Sequence, residues 1–247
     1  MQAVVLCGGL ATRMLPATER VPKVLLEVGG RPFLHHVVAR LRAAGFVEIV
    51  LCAGHLGDAI EVAALGLGRD VVVLRDGERL LGTAGALAAA QGRLAPSFLV
   101  TYGDSYLLFD YAAPLRALTR LPDTTLGVMT VWQNDGALEP SNAAVEGDRV
   151  VRYDKARTSG VLLDHIDYGA IALRRDALAA VASVATEGEP SSLSDLLEAM
   201  SRRSELAAHV TRERFYEIGS PAGLADLEAY LRASRRTNAS AADKKRP

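Results

Sequence analysis

Cysteine is nearly absent. Cys7 and Cys52 are the only two in 247 residues, and both fall in apolar runs that read as buried strands, so neither a disulfide framework nor a zinc pattern is expected. Charge of one sign is also missing: 28 Lys+Arg stand against 29 Asp+Glu, which implies no nucleic-acid partner. No apolar run approaches the ~18 residues of a membrane span, and the opening MQAVVLCGGL carries no basic leader. These lacks lead us to expect a cytoplasmic protein with no membrane partner. Catalytic signatures are missing as well. No Gly-Lys-Ser/Thr closes a Walker loop, no G-x-G-x-x-G occurs in a Rossmann turn, and Gly103-Asp104-Ser105 is not a nucleophile elbow. His35-His36 has no acidic ligand at zinc spacing.

What is present is alternation. Short Val, Leu and Ile runs at 3–7, 48–52, 70–74 and 98–102 are separated by helix-period segments at 32–44, 56–65 and 83–91. That order predicts βαβ units and an α/β fold, Rossmann-like, with a mainly parallel mixed sheet covered by helices. Residues 110–121 read as another helix and 124–132 as a strand. The texture then changes: 142–145, 149–153 and 168–173 read as antiparallel strands, with Gly147-Asp148 as a hairpin turn. Helices at 193–203 and 222–232 flank strand-like 207–211 and 215–218. One domain is expected over 1–233, and the basic tail 234–247, with Lys244, Lys245 and Arg246, lacks apolar periodicity and reads as disordered.

The first strand runs into Gly8-Gly9-Leu10-Ala11-Thr12-Arg13, where an open parallel sheet binds ligands beyond its strand ends. Paired glycines allow close backbone approach to an anion, and Arg13 and Lys23 supply cations in a segment punctuated by Pro16 and Pro22. Such a loop reads as a phosphate cradle. Asp104 closes the strand at 98–102 on the same side of the sheet, a fitting place for Mg²⁺, which takes few carboxylates plus phosphate oxygens. Glu217 closes a late apolar strand just before a Gly-Ser-Pro helix entry.

Residues 8–34, GGLATRMLPATERVPKVLLEVGGRPFL, resemble the signature of the sugar-1-phosphate nucleotidyltransferases, approximately G-G-x-G-T-R-x-x-P followed after a gap by P-K. The match fails at Ala11, where that family usually has glycine. The resemblance implies a nucleotide-diphospho-sugar transferase fold, a nucleotide-binding half over about 1–110 and a sugar-binding half over about 111–233. It implies catalytic roles for Arg13 and Lys23, and nucleotide contacts from Gly8, Gly9, Thr12, Arg13, Lys23, Gly82, Thr83 and Gly103. It implies metal ligation by Asp104 and Glu217, the latter a glutamate where the family has aspartate. Asn142, Lys155, Tyr168 and Gly169 are implied on the sugar-phosphate side. The expected reaction joins an NTP and a sugar 1-phosphate into an NDP-sugar, releasing pyrophosphate, with Mg²⁺ as cofactor. GTP with a heptose or mannose 1-phosphate is the narrow expectation, with UTP, CTP and dTTP open beside it, and a homo-oligomer is left open. A glycosyltransferase using an NDP-sugar donor and a non-catalytic sugar-nucleotide sensor are the alternatives; the first usually carries Asp-x-Asp, absent at Gly103-Asp104-Ser105.

Overall fold

Because successive side chains of a strand point to opposite faces, a fully apolar strand must be covered on both. The computed structural model, which describes residues 1–134, 140–184 and 189–243, meets that demand throughout the first half. In chain order it contains β1 (Gln2–Leu6), β2 (Glu27–Val28), β3 (Arg31–Pro32), α1 (Phe33–Ala43), β4 (Glu48–Ala53), α2 (Gly57–Ala64), β5 (Val71–Arg75), α3 (Gly82–Ala89), β6 (Ser97–Tyr102), β7 (Ser105–Leu107) and α4 (Ala113–Leu118). There follow β8 (Gly127–Gln133), β9 (Ala143–Glu146), β10 (Arg149–Tyr153), β11 (His165–Arg174), α5 (Val181–Val184), α6 (Leu193–Arg202), β12 (Leu206–Thr211), β13 (Phe215–Glu217) and α7 (Pro221–Asp243).

Nine strands form one sheet in the order β5-β4-β1-β6-β11-β8-β12-β10-β9. The run β5-β4-β1-β6 is parallel, whereas β11 lies antiparallel between β6 and β8. Ala3 and Val5 of β1 and Ile49 and Leu51 of β4 face a core built with Phe33, Leu34, Val37, Val38 and Leu41 of α1 and Ile60 of α2. Val4, Leu6, Val50 and Cys52 face the other core, with Leu87 of α3 and Leu193, Leu196, Leu197 and Met200 of α6. Each such side chain contributes about 1.5–3 kcal/mol on burial. Both thiols are free and buried, and burial pushes the Cys52 thiol up to about 12.

Two expectations need correction, the length of one helix and the disorder of the tail, and one strand finds a partner that the sequence did not name. The helix read over 110–121 is shorter, α4, with Pro114 in its first turn setting the start. The strand at 215–218 does not join the main sheet: β13 pairs antiparallel with β7 in a separate ribbon, Glu217 opposite Ser105. Helix α7 continues through Asp243, past Ser234 where disorder was expected. No glycine or proline falls between Leu224 and Asp243, and Arg235 donates to the Gly29 carbonyl at 2.8 Å. Residues 244–247, with Lys244, Lys245 and Arg246, lie outside the described residues. No described helix is long and apolar enough to cross a membrane.

Candidate active site

In the sheet, β1 lies between β4 and β6, so the chain leaves β1 toward one side and returns through β6 on the other. Such a switch point opens a crevice beyond the strand ends. A cleft of about 380 Å³ occupies it, lined by Gly8, Gly9, Lys23, Gly82, Thr83, Gly103 and Asp104, together with Asp76, Leu80 and Tyr102. The structure therefore gathers seven of the residues singled out from sequence into one opening. Lys23 Nζ lies 2.8 Å from Asp104 Oδ2, both side chains partly shielded from solvent. Gly103 is held by close approach: a Cβ there would stand 2.8 Å from the Leu6 carbonyl oxygen and from Val24.

Arg13 and Glu217 do not line that cleft. They face a neighbouring cavity of about 210 Å³ with Arg214, Gly219, Ser220 and Asp226. The two spaces adjoin at Gly219, where a Cβ would sit 3.3 Å from the Arg13 guanidinium and 4.0 Å from Asp104 Oδ2. The Ile218 N–H donates to the Asp104 carbonyl at 2.9 Å, which fastens the late ribbon beside the end of β6. Thr12 is exposed in the short turn before Met14 and lines neither space. Among the described residues no group of three or more His, Cys, Asp or Glu is arranged around a metal.

Thr83 does not cap its own helix. Its Oγ1 accepts the Leu193 N–H at 2.7 Å, so the hydroxyl ties α3 to the start of α6.

The sugar-side expectations divide. Asn142 Oδ1 accepts the Asp167 N–H at 2.8 Å. Tyr168 is core: it is 1% exposed, its ring packs edge-on to Phe109 and Phe215, and its hydroxyl donates to the Arg214 carbonyl. The Tyr168 ring thus packs in the core and lines neither cavity. Gly169, at φ +88°, forms the irregularity in β11, but its N–H goes to Asp167 Oδ1 and its carbonyl accepts the Thr101 hydroxyl. Its backbone is thus spent on the sheet, and its role is to let β11 approach Tyr102 and Ser105 closely. Lys155 is exposed just past the end of β10, and its charge opposes the burial that raises the Asp167 pKa.

Two carboxylates were missed from sequence. Asp76, just after β5, lines the cleft; burial raises its pKa, and its Oδ2 accepts the Leu81 N–H at 3.0 Å. Asp167 receives the hydroxyls of Tyr102 and Tyr153, each at 3.3 Å, and burial raises its pKa despite the Gly169 N–H and Lys155. Asp76 follows the end of β5 and Asp167 lies inside β11, and a single aspartate at either place carries no local signal.

A mixed sheet of this order, with a glycine loop and a Lys23–Asp104 pair at its switch point, has the α/β fold of the nucleotide-diphospho-sugar transferase type. The chain belongs to the family described as the MobA-like NTP transferase domain, whose pattern matches residues 3–214. It is 37% identical over 128 residues to an N-acetylmuramate alpha-1-phosphate uridylyltransferase of Neisseria meningitidis, covering 50% of this chain and 55% of that protein. It is 30% identical over 183 residues to a mannose-1-phosphate guanylyltransferase of Mycobacterium tuberculosis, covering 72% and 50%. The chain thus spans about half the length of these curated relatives. A putative glucose-1-phosphate thymidylyltransferase from Bacillus anthracis shares the fold at TM-score 0.79 and 18% identity, over 94% of this chain and 95% of that one. The resemblance read from residues 8–34 stands.

Proposed function

We propose that this protein transfers a nucleoside monophosphate from an NTP to a sugar 1-phosphate, forming an NDP-sugar and releasing pyrophosphate. The observation that carries the reading is that Gly9, Lys23 and Asp104 open onto one cleft at the switch point of the sheet. A phosphate oxygen of the sugar 1-phosphate attacks the α-phosphorus, and the bond to the pyrophosphate oxygen breaks in line. Such chemistry needs positioning and neutralisation of charge. Gly8 and Gly9 supply backbone approach, Lys23 and Arg13 offset charge on the transferring and leaving phosphates, and Lys155 aligns the attacking phosphate. Residues 1–110 carry the nucleotide and 111–233 the sugar.

Asp104 and Glu217 offer hard oxygen donors on neighbouring backbone segments, which suits Mg²⁺ with its preference for one or two carboxylates plus phosphate oxygens and water. Bound there, the ion supplies charge neutralisation to the phosphates. The chain's own part is to keep the Asp104 carboxylate oriented through Lys23.

Asp76 supports a guanine base. Ionised, it accepts hydrogen bonds only. Guanine presents two adjacent donors on one edge, whereas uracil and thymine flank their single N–H with carbonyls. A mannose-type or heptose 1-phosphate is the acceptor we favour; the mycobacterial relative bears the mannose-1-phosphate and guanylyl pairing in its name.

The test is a panel of four NTPs against sugar 1-phosphates, reading pyrophosphate with and without Mg²⁺. Lys23→Ala and Asp104→Asn abolish turnover while retaining the fold. Asp76→Asn lowers kcat/KM for GTP about 10- to 100-fold, the worth of one charged hydrogen bond. Pyrophosphate released at the unaltered rate by either of the first two variants would defeat the assignment. Glycosyl transfer from an NDP-sugar without pyrophosphate would replace it.

A further inference from the structure

Strand β5 ends the nine-stranded sheet, and its outer edge has no strand beside it among the described residues. Two bonds fix the phase of its backbone. Ile49 N–H donates to the Asp70 carbonyl at 2.8 Å before the strand, and Asp76 N–H donates to the Ala53 carbonyl at 3.0 Å beyond it. In a parallel ladder alternate residues serve the neighbour. Residues 70, 72, 74 and 76 therefore face β4, and Val71, Val73 and Arg75 turn their backbone outward. Val71 N–H is already taken by the Gly68 carbonyl at 3.3 Å. What remains on the edge is the Val71 carbonyl and both polar groups of Val73 and Arg75.

Proteins blunt such edges with lysine, proline or a covering segment. The sequence VVVLR has neither lysine nor proline, and its one charge is occupied. Arg75 reaches back to Asp58, and to Glu61 at 3.7 Å, on α2. Those contacts place the outer stripe of α2, positions 58, 61, 62 and 65, along this same edge. Val62 and Leu65 on that stripe are 69% and 83% exposed.

We propose that this edge pairs with the same edge of a second copy of the chain, antiparallel, about a two-fold axis at Val73. There Val73 exchanges both its bonds with its own copy. Arg75 N–H finds the Val71 carbonyl of the partner subunit, and the exposed apolar residues of α2 cover the seam. A closed isologous contact of this kind requires self-complementary charge, and the edge has it. Asp58 and Glu61 share the single Arg75, leaving the far end of β5 acidic. Arg69, exposed and with no side-chain partner among the described residues, makes the near end basic. Antiparallel pairing brings each acidic end to a basic one. No other occupant of the edge obtains that match from this chain's own residues.

Sedimentation equilibrium or light scattering on the full chain tests this without any assay of activity. The expected species has twice the chain mass. Val73→Pro removes an outward N–H that β4 does not use, and Leu65→Glu sets like charges across the seam; each raises the dissociation constant at least about tenfold (1.4 kcal/mol) with circular dichroism unchanged. Arg69→Glu, and Asp58→Lys with Glu61→Lys, each weaken self-association, and the two variants mixed together restore a dimer. Should Val73→Pro fail to fold, Leu65→Glu, at an exposed position, decides. A chain that stays monomeric, a dimer indifferent to Leu65→Glu, or a mixture that fails to pair would each overturn the proposal.

Discussion

Ala11 sits at φ 51° and ψ 38°, in the left-handed region, at the position where the resembled signature carries glycine. The loop holds it there: its carbonyl accepts the Thr18 hydroxyl and the Met14 N–H, each at 2.9 Å. A non-glycine residue in this conformation costs roughly 1–2 kcal/mol, and glycine would return part of that as unfolded-chain entropy, about 0.5–1 kcal/mol. Ala11→Gly is therefore expected to stabilise the protein by about 0.5–1 kcal/mol in urea denaturation; a loss of stability would mean that the native loop does not hold this conformation. This residue was legible in the sequence because glycine motifs are local. Asp76 was not, because its place opposite the glycine loop depends on the order of β5, β4 and β1, which no neighbouring residue announces.

At the scale of elements, what sequence patterns miss is what a side chain does for a distant backbone. Arg174, at the end of β11, donates from Nε to the Thr125 carbonyl at 3.0 Å and from Nη2 to the carbonyls of Leu118 and Leu121 at 3.3 and 3.1 Å. It thereby partners carbonyls at and beyond the end of α4, where a helix terminus leaves acceptors short of donors, although the Leu118 carbonyl also accepts the Leu121 N–H at 3.2 Å. Removing it costs about 2 kcal/mol, so Arg174→Ala should lower Tm by roughly 4–8 °C. Arg174→Lys should recover only part, since one ammonium cannot fan across three carbonyls; a Tm unchanged by either substitution would show that water serves those groups equally well. Apolar alternation marked the parallel strands, yet it could not separate β13 from the main sheet. Three residues of Phe-Tyr-Glu read alike whether they pair with β7 or with a longer neighbour, and the choice is fixed by the ladder to β7 and the bond from Ile218 to Asp104 that continues it.

Strand β11 lies between β6 and β8 in the sheet, and Asp167 is near its start. Tyr102 on β6 and Tyr153 on β10 both point their hydroxyls at its Oδ2, so a single carboxyl links the lining of the cleft to the strand that ends beside Lys155. The change to antiparallel texture after residue 132 was readable from composition. The insertion of β11 at the centre of the sheet was not, since register over such distances is set by which apolar faces are left to cover. Burial holds the Asp167 carboxyl above the ordinary carboxylate value near 4. The native state then keeps a proton that the unfolded chain has released. The corresponding stabilisation is fully present below that ordinary value and is lost as pH rises through the raised one. Asp167→Asn removes the titration while keeping an acceptor for Gly169 N–H and a donor for the two tyrosine oxygens. The difference in Tm between wild type and variant should therefore move in favour of the variant as pH rises from about 4 toward neutrality, and level off above the raised value. A difference that stays flat across that range would place Asp167 in water rather than in a buried site between Tyr102 and Tyr153.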